Sequence, residues 1–132
     1  MRVGMAFASR EIIDVLNKIK PPYNINILSQ AKVLESLGDI NTLSTQVDEI
    51  KSERERLVEK LSNMDKVVKI YPSQANFILV EFTDAQNLFK KLINKGIILR
   101  DRTKQVENCI RITVGTVEEN NHLLKTLNEL EL

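Results

Sequence analysis

Cysteine and histidine are nearly missing from this chain of 132 residues, which has one of each, Cys109 and His122. A single thiol excludes an internal disulfide and a cysteine-rich zinc site, and a single imidazole excludes a histidine cluster. That usage fits a reducing compartment, and the expectation is a soluble, cytoplasmic protein with no metal. Tryptophan is absent and aromatics make up 5%, too few for a base-stacking platform. An excess of either charge is lacking as well: 19 Lys and Arg stand against 18 Asp and Glu. There is no broad electrostatic footprint for nucleic acid or an anionic membrane. Long apolar runs are missing too. Val3 to Ala8 is too short, and too soon followed by charge, for a signal peptide, and no stretch approaches a membrane span. The chain has no glycine-rich phosphate loop, no Ser-His-acid spacing and no carboxylate pair framed by strand ends.

What is present is ordinary globular material, 42% hydrophobic and 28% charged. Val3 to Ala8 reads as a short strand with Arg2 in front of it. Ser9 then caps a helix carrying Ile12, Ile13, Leu16 and Ile19. Pro21-Pro22 stops it, since neither proline has an amide donor. A short helix is expected from about Leu28 to Leu37, before Gly38-Asp39. A long one follows from about Asn41 to Leu61, its apolar stripe Leu43, Val47, Ile50, Leu57 and Leu61 interrupted at Arg54. Arg54-Glu55-Arg56 reads as a solvated face of that helix.

The period then changes. Val67 to Ile70 and Asn76 to Phe82 read as strands, the second apolar enough to be central. Thr83 and Gln86 suggest a capping box opening a helix that closes at Gly96. Ile97-Ile98-Leu99 is expected to be a strand, Asp101 to Asn108 a polar loop, and Cys109 to Val114 the last strand. Thr116 and Glu119 form a second capping box, with Leu123, Leu124, Leu127 and Leu130 on the inner face of the final helix. The sum is an α/β two-layer sandwich (α+β), three or four strands with helices on one face plus a long connecting helix.

Few side chains offer chemistry. Arg100 ends one expected strand and Arg111 lies inside another, in Ile110-Arg111-Ile112-Thr113-Val114. A guanidinium on a half-buried strand needs an anion, and its planar fork suits a carboxylate or a phosphate. The residues leave two readings open: a structural ion pair with one of the 18 acids, or a ligand contact. Cys109 reads as a small buried hydrophobe, His122 as a surface residue, and Tyr23 as a packing or partner contact.

Five segments, taken in order, resemble the C-terminal part of histidinol-phosphate aminotransferases, pyridoxal-phosphate enzymes of the aspartate-aminotransferase fold. They are Arg2-Val3-Gly4-Met5-Ala6-Phe7-Ala8, Lys20-Pro21-Pro22-Tyr23-Asn24-Ile25-Asn26, Ser73-Gln74-Ala75-Asn76-Phe77, Gly96-Ile97-Ile98-Leu99-Arg100-Asp101-Arg102 and Ile110-Arg111-Ile112-Thr113-Val114-Gly115-Thr116. The resemblance spans essentially the whole chain. It implies that Arg2 binds the cofactor phosphate and that Arg111, with Arg100 near it, holds the substrate's anionic group. The implied substrates are histidinol phosphate and glutamate or 2-oxoglutarate, in histidine biosynthesis, and the parent is implied to be a homodimer. Roles for Tyr23 and Asn76 are not implied. Residues 1–38 would be a remnant of the large cofactor domain and 39–132 the small C-terminal domain.

The departure from the family pattern is the lysine of a Ser-Lys segment shortly before Arg-x-Gly, which forms the Schiff base and shuttles the proton. Only Met1 precedes Arg2 here. The chain by itself is therefore expected neither to transaminate nor to hold pyridoxal phosphate stably. Two alternatives accompany this reading. One is a related pyridoxal-phosphate aminotransferase or phosphothreonine decarboxylase; the other is a stand-alone, non-catalytic domain binding an anion or a protein.

Overall fold

The structure, a computed structural model, describes residues 3–22 and 25–130. Arg2 and Tyr23 lie outside these residues. The chain divides into two compact units, Met1–Ser44 and Thr45–Leu132.

The first unit carries helices α1 (Arg10–Ile19) and α2 (Ile27–Leu37) and the start of α3 (Ile40–Ser62). Ser9 is the N-cap of α1, and its carbonyl accepts from Ile13 N at 3.0 Å. The helix ends before Pro21-Pro22, as their missing donors require. Asn26 caps α2, its Oδ1 accepting from Ser29 N at 2.8 Å. The strand expected over Val3–Ala8 is not formed: the described residues there have no regular secondary structure. The apolar run reads as a strand, but a strand exists only where a neighbour completes its ladder, and none pairs with it.

The second unit is a four-stranded antiparallel sheet with helices against one face. Its strands are β1 (Val67–Tyr71), β2 (Phe77–Phe82), β3 (Arg100–Asp101) and β4 (Cys109–Thr113), in the spatial order β1-β2-β4-β3. The rest of α3, α4 (Ala85–Asn94) and α5 (Val117–Glu129) supply the helical layer. Register explains the layering. Ile78 opposes Ile112 and Val80 opposes Ile110, and all four are fully buried with Phe82, Leu57, Leu61, Leu88, Leu92 and Leu127. Because side chains alternate across a strand, the residues between them, Phe77, Leu79 and Arg111, lie on the face away from this core.

Three local expectations need correction. The N-cap of α4 is Asp84, whose carboxylate accepts from Asn87 N at 3.1 Å; it is not Thr83 paired with Gln86. Thr83 N still donates to Lys66 O at 3.0 Å, so the chain has not left the sheet at Thr83 and the helix begins one residue later. Ile97-Ile98-Leu99 is not a strand, and β3 is only Arg100–Asp101. Gly96 turns with φ 77° and Ile97 N donates to Leu92 O at 2.9 Å, a helix-ending motif that keeps the backbone out of the ladder until Arg100. The polar loop accordingly shrinks to 102–108. The capping box at Thr116 and Glu119 forms as expected.

Arg54 and Arg56 are not freely solvated either; both are half-buried. Arg54 Nη1 donates to Ala75 O at 3.0 Å, and Arg56 holds the Glu53 carboxylate through Nε (2.8 Å) and Nη2 (2.7 Å). Sequence alone cannot separate a solvated arginine from one that reaches a loop carbonyl 21 positions away.

Candidate anion site at the edge of the sheet

Antiparallel pairing of β3 with β4 places Arg100 directly opposite Arg111. Directly opposed residues project to the same face, so the two guanidinium groups share one patch. Two like charges in that position repel, and such a pair is ordinarily relieved by a nearby acid. Among the described residues neither arginine is in an ion pair. Of the two readings left open by the residues, the structural ion pair is not formed.

Arg111 is half-buried in β4 and Arg100 is exposed on the edge strand. The Arg111 guanidinium carbon sits 4.8 Å from the centre of the Phe77 ring, within the range of a cation–π contact. Its Nε is buried and has no acceptor. A buried N–H left this way costs about 1–3 kcal/mol, and an anion is the partner whose charge and geometry would satisfy it.

The arginines open into a cleft of about 530 Å³ bounded by the segment from Gly96 to Arg100, the end of β4 and the first turns of α5. Ile98, 85% exposed, stands at its rim. His122, expected at the surface, is exposed and also borders the cleft. No lysine is among the lining residues. The cleft therefore holds two guanidinium groups for an anion and one acid, Glu119, whose Oε2 is occupied by Thr116 N, and none of its lining side chains is an amine that could condense with an aldehyde cofactor.

The far wall is set by a buried polar network that sequence reading missed. Asn120 is 2% exposed. Its Oδ1 accepts from Gly115 N (3.1 Å), while its Nδ2 donates to Gly115 O (3.0 Å) and to Glu53 Oε2 (2.8 Å). Glu53 is in turn gripped by Arg56, which also donates to Asn121 Oδ1 at 2.9 Å. This joins α3 to α5 and fixes the turn that follows β4. At Gly115 a Cβ would collide with Glu119 Oε2 and lie 3.0 Å from Glu119 Cβ, so the capping side chain occupies the space that glycine leaves. An Asn in the second turn of a polar helix gives no hint of this in the sequence; only the i−5 spacing to Gly115 could have suggested it.

The network titrates. The Arg56 guanidinium, with help from Asn120, holds the Glu53 carboxyl below the usual glutamate range despite its burial. A carboxyl depressed in the fold stabilises it above the unfolded-state pKa, ~4.3, and that contribution is lost as pH falls through the lower folded value. Denaturant midpoints are thus expected to fall on acidification below about pH 4.3, and Glu53→Gln should flatten that limb. An unchanged pH profile in Glu53→Gln would contradict the assignment.

Cys109 is fully buried, as expected of a small hydrophobe. Burial pushes its thiol up, with the Glu81 carboxylate adding to the effect, so the sulfur stays protonated and unreactive at neutral pH. Among the described residues no cluster of acids, Cys and His could hold a metal ion. No helix described is long and apolar enough to cross a membrane.

Comparison with known proteins agrees with this architecture. The chain is 48% identical over 132 residues to a histidinol-phosphate aminotransferase of Flavobacterium psychrophilum, covering 98% of this chain and 38% of that protein. It is also 48% identical over 134 residues to the one from Parabacteroides distasonis, covering all of this chain and 39% of that protein. The crystal structure of the histidinol-phosphate aminotransferase from Clostridium acetobutylicum superposes with a TM-score of 0.78 at 23% identity, over 92% of this chain and 39% of that one, a likeness of fold. The chain thus spans under two fifths of the length of the relatives it matches. The model of the aminotransferase class I and II family matches residues 1–127, and this chain belongs to that family.

Proposed function

We propose that this chain is the substrate-clamping part of a histidinol-phosphate aminotransferase. The observation that carries the reading is the pairing of Arg100 with Arg111 on one face, open to a cleft and, among the described residues, with neither guanidinium in an ion pair. The parent reaction passes an amino group between histidinol phosphate and 2-oxoglutarate, so one pocket must accept a phosphate in one half-reaction and a carboxylate in the other. A guanidinium meets both through paired N–H donors. In this reading Arg111 is the principal contact and Arg100 the second, more exposed one.

Pyridoxal phosphate supplies the electron sink of this chemistry when bound in the parent. In this reading Arg2 holds its phosphate, and residues 1–38 belong to a large cofactor domain while 39–132 form the small domain. Supporting that division, α1 and α2 bury no side chain, and Ile12, Val15 and Ile19 are each more than half exposed, as helices cut from a larger core would be. The work left to this chain is to bind and orient the anionic end of the substrate. The parent is proposed to be a cytoplasmic homodimer.

Residues 1–132 alone are proposed to be inactive, because they contain no Ser-Lys segment of the kind that carries the Schiff-base lysine in the family. Mixing the chain with pyridoxal phosphate, reducing with borohydride and mapping peptides by mass should yield no stoichiometric adduct at a single site. One lysine labelled in full would overturn this. Substrate assays of the complete enzyme separate the histidinol-phosphate reading from a related aminotransferase or a phosphothreonine decarboxylase.

A further inference from the structure

Resting on the anion-clamp reading, we infer that Phe77 is a positioning residue for Arg111, presenting its fork to the substrate by stacking in place of an ion pair. A guanidinium on a strand must be held by something if its planar donors are to meet an anion in a fixed orientation. A carboxylate would do so, but it would also neutralise the charge and compete with the ligand. An aromatic face holds the cation at its plane while leaving the in-plane donors unoccupied. The ring of Phe77 lies 4.8 Å from the Arg111 guanidinium carbon, on the sheet face that the register assigns to both residues.

The platform is itself fastened. The loop leading into β2 is tied at three points. Arg54 Nη1 donates to Ala75 O at 3.0 Å, Ser73 Oγ donates to Phe77 O at 2.6 Å, and Val114 N donates to Asn76 O at 2.9 Å. Ser73 Oγ also accepts from Ala75 N at 3.1 Å. These bonds use a helix, the loop itself and the end of β4, so the backbone that carries Phe77 is fixed relative to the strand that carries Arg111. This gives Arg54 a purpose where the apolar stripe of α3 breaks: it anchors the loop beneath the clamp.

The test is an inorganic phosphate titration of the 132-residue chain, followed by heteronuclear NMR at the Arg111 Nε–H signal. In the wild type that proton should carry a ring-current shift from Phe77 and should move as phosphate binds. Phe77→Leu should abolish the ring-current shift and weaken phosphate binding about five- to tenfold, whereas Phe77→Tyr, which keeps the face, should stay within about twofold of wild type. Dispersed backbone amides report that each variant folds, and Phe77→Met, of similar volume without a π face, replaces the leucine variant if that one does not. Phosphate binding in Phe77→Leu or Phe77→Met as tight as in wild type overturns the inference while leaving the clamp intact. A wild-type Arg111 signal that phosphate never moves overturns the clamp reading, and this inference with it.

Discussion

Arg111→Ala in the complete enzyme is expected to lower kcat/KM for histidinol phosphate and for glutamate alike, each by about a thousandfold, roughly 4 kcal/mol. The size follows from what is removed: a half-buried guanidinium that stacks on Phe77 but is in no ion pair among the described residues, so that no acid competes with the ligand for its charge. Both substrates should suffer because the same fork serves phosphate and carboxylate. The absorption band of bound pyridoxal phosphate should persist, since the proposed role touches the substrate's anion and not the cofactor. Arg111→Lys keeps the charge but loses the planar fork, and should recover only part of the loss. Wild-type kinetics for both substrates in Arg111→Ala would sink the assignment.

Asn120→Ala is expected to be the most damaging polar substitution for stability, lowering the free energy of unfolding by about 3 kcal/mol. One truncation removes three hydrogen bonds and strands the Gly115 amide and carbonyl, while Glu53 Oε2 keeps only its bond from Arg56. Asn120→Asp separates packing from charge. It is nearly the same shape but sets a second carboxylate beside Glu53, so it should be destabilised most at neutral pH and regain stability as acid protonates one of the pair. Urea titrations at several pH values check both. An Asn120→Ala midpoint equal to wild type would show that the network carries no weight.

The architecture was legible from period and punctuation. The apolar run in Asn76–Phe82, the capping box at Thr116 and the glycine at 96 each announce an element through local chemistry, and the structure forms a central strand over Phe77–Phe82, the capping box and the turn at Gly96. The misreadings share a physical cause. Val3–Ala8 and Ile97–Leu99 are apolar enough for strands, but strand formation depends on partners that no local pattern reveals. Arg100 and Arg111 stood out singly as charges in apolar company. Their direct opposition, the Phe77 ring beside one of them and the amide of Asn120 behind the cleft are products of register and packing, which couple positions far apart in the chain.

The two-residue length of β3 has a consequence for how this region tolerates change. The turn over 102–108 closes with Arg102 N on Cys109 O, and it is the turn that decides which residue of β3 meets Arg111. Arg100 does so, while Asp101 opposes Ile110. A slip of one residue would bring Asp101 against Arg111 and turn Arg100 to the other side, replacing a doubly cationic patch with a self-neutralised one. Changes in this turn that shift the register therefore obey a parity rule: a shift of two residues keeps Arg100 on the face of Arg111, though no longer directly opposite it, whereas a shift of one turns it away unless a bulge takes it up. The site is guarded by arithmetic in a loop that itself contributes no donor to the anion.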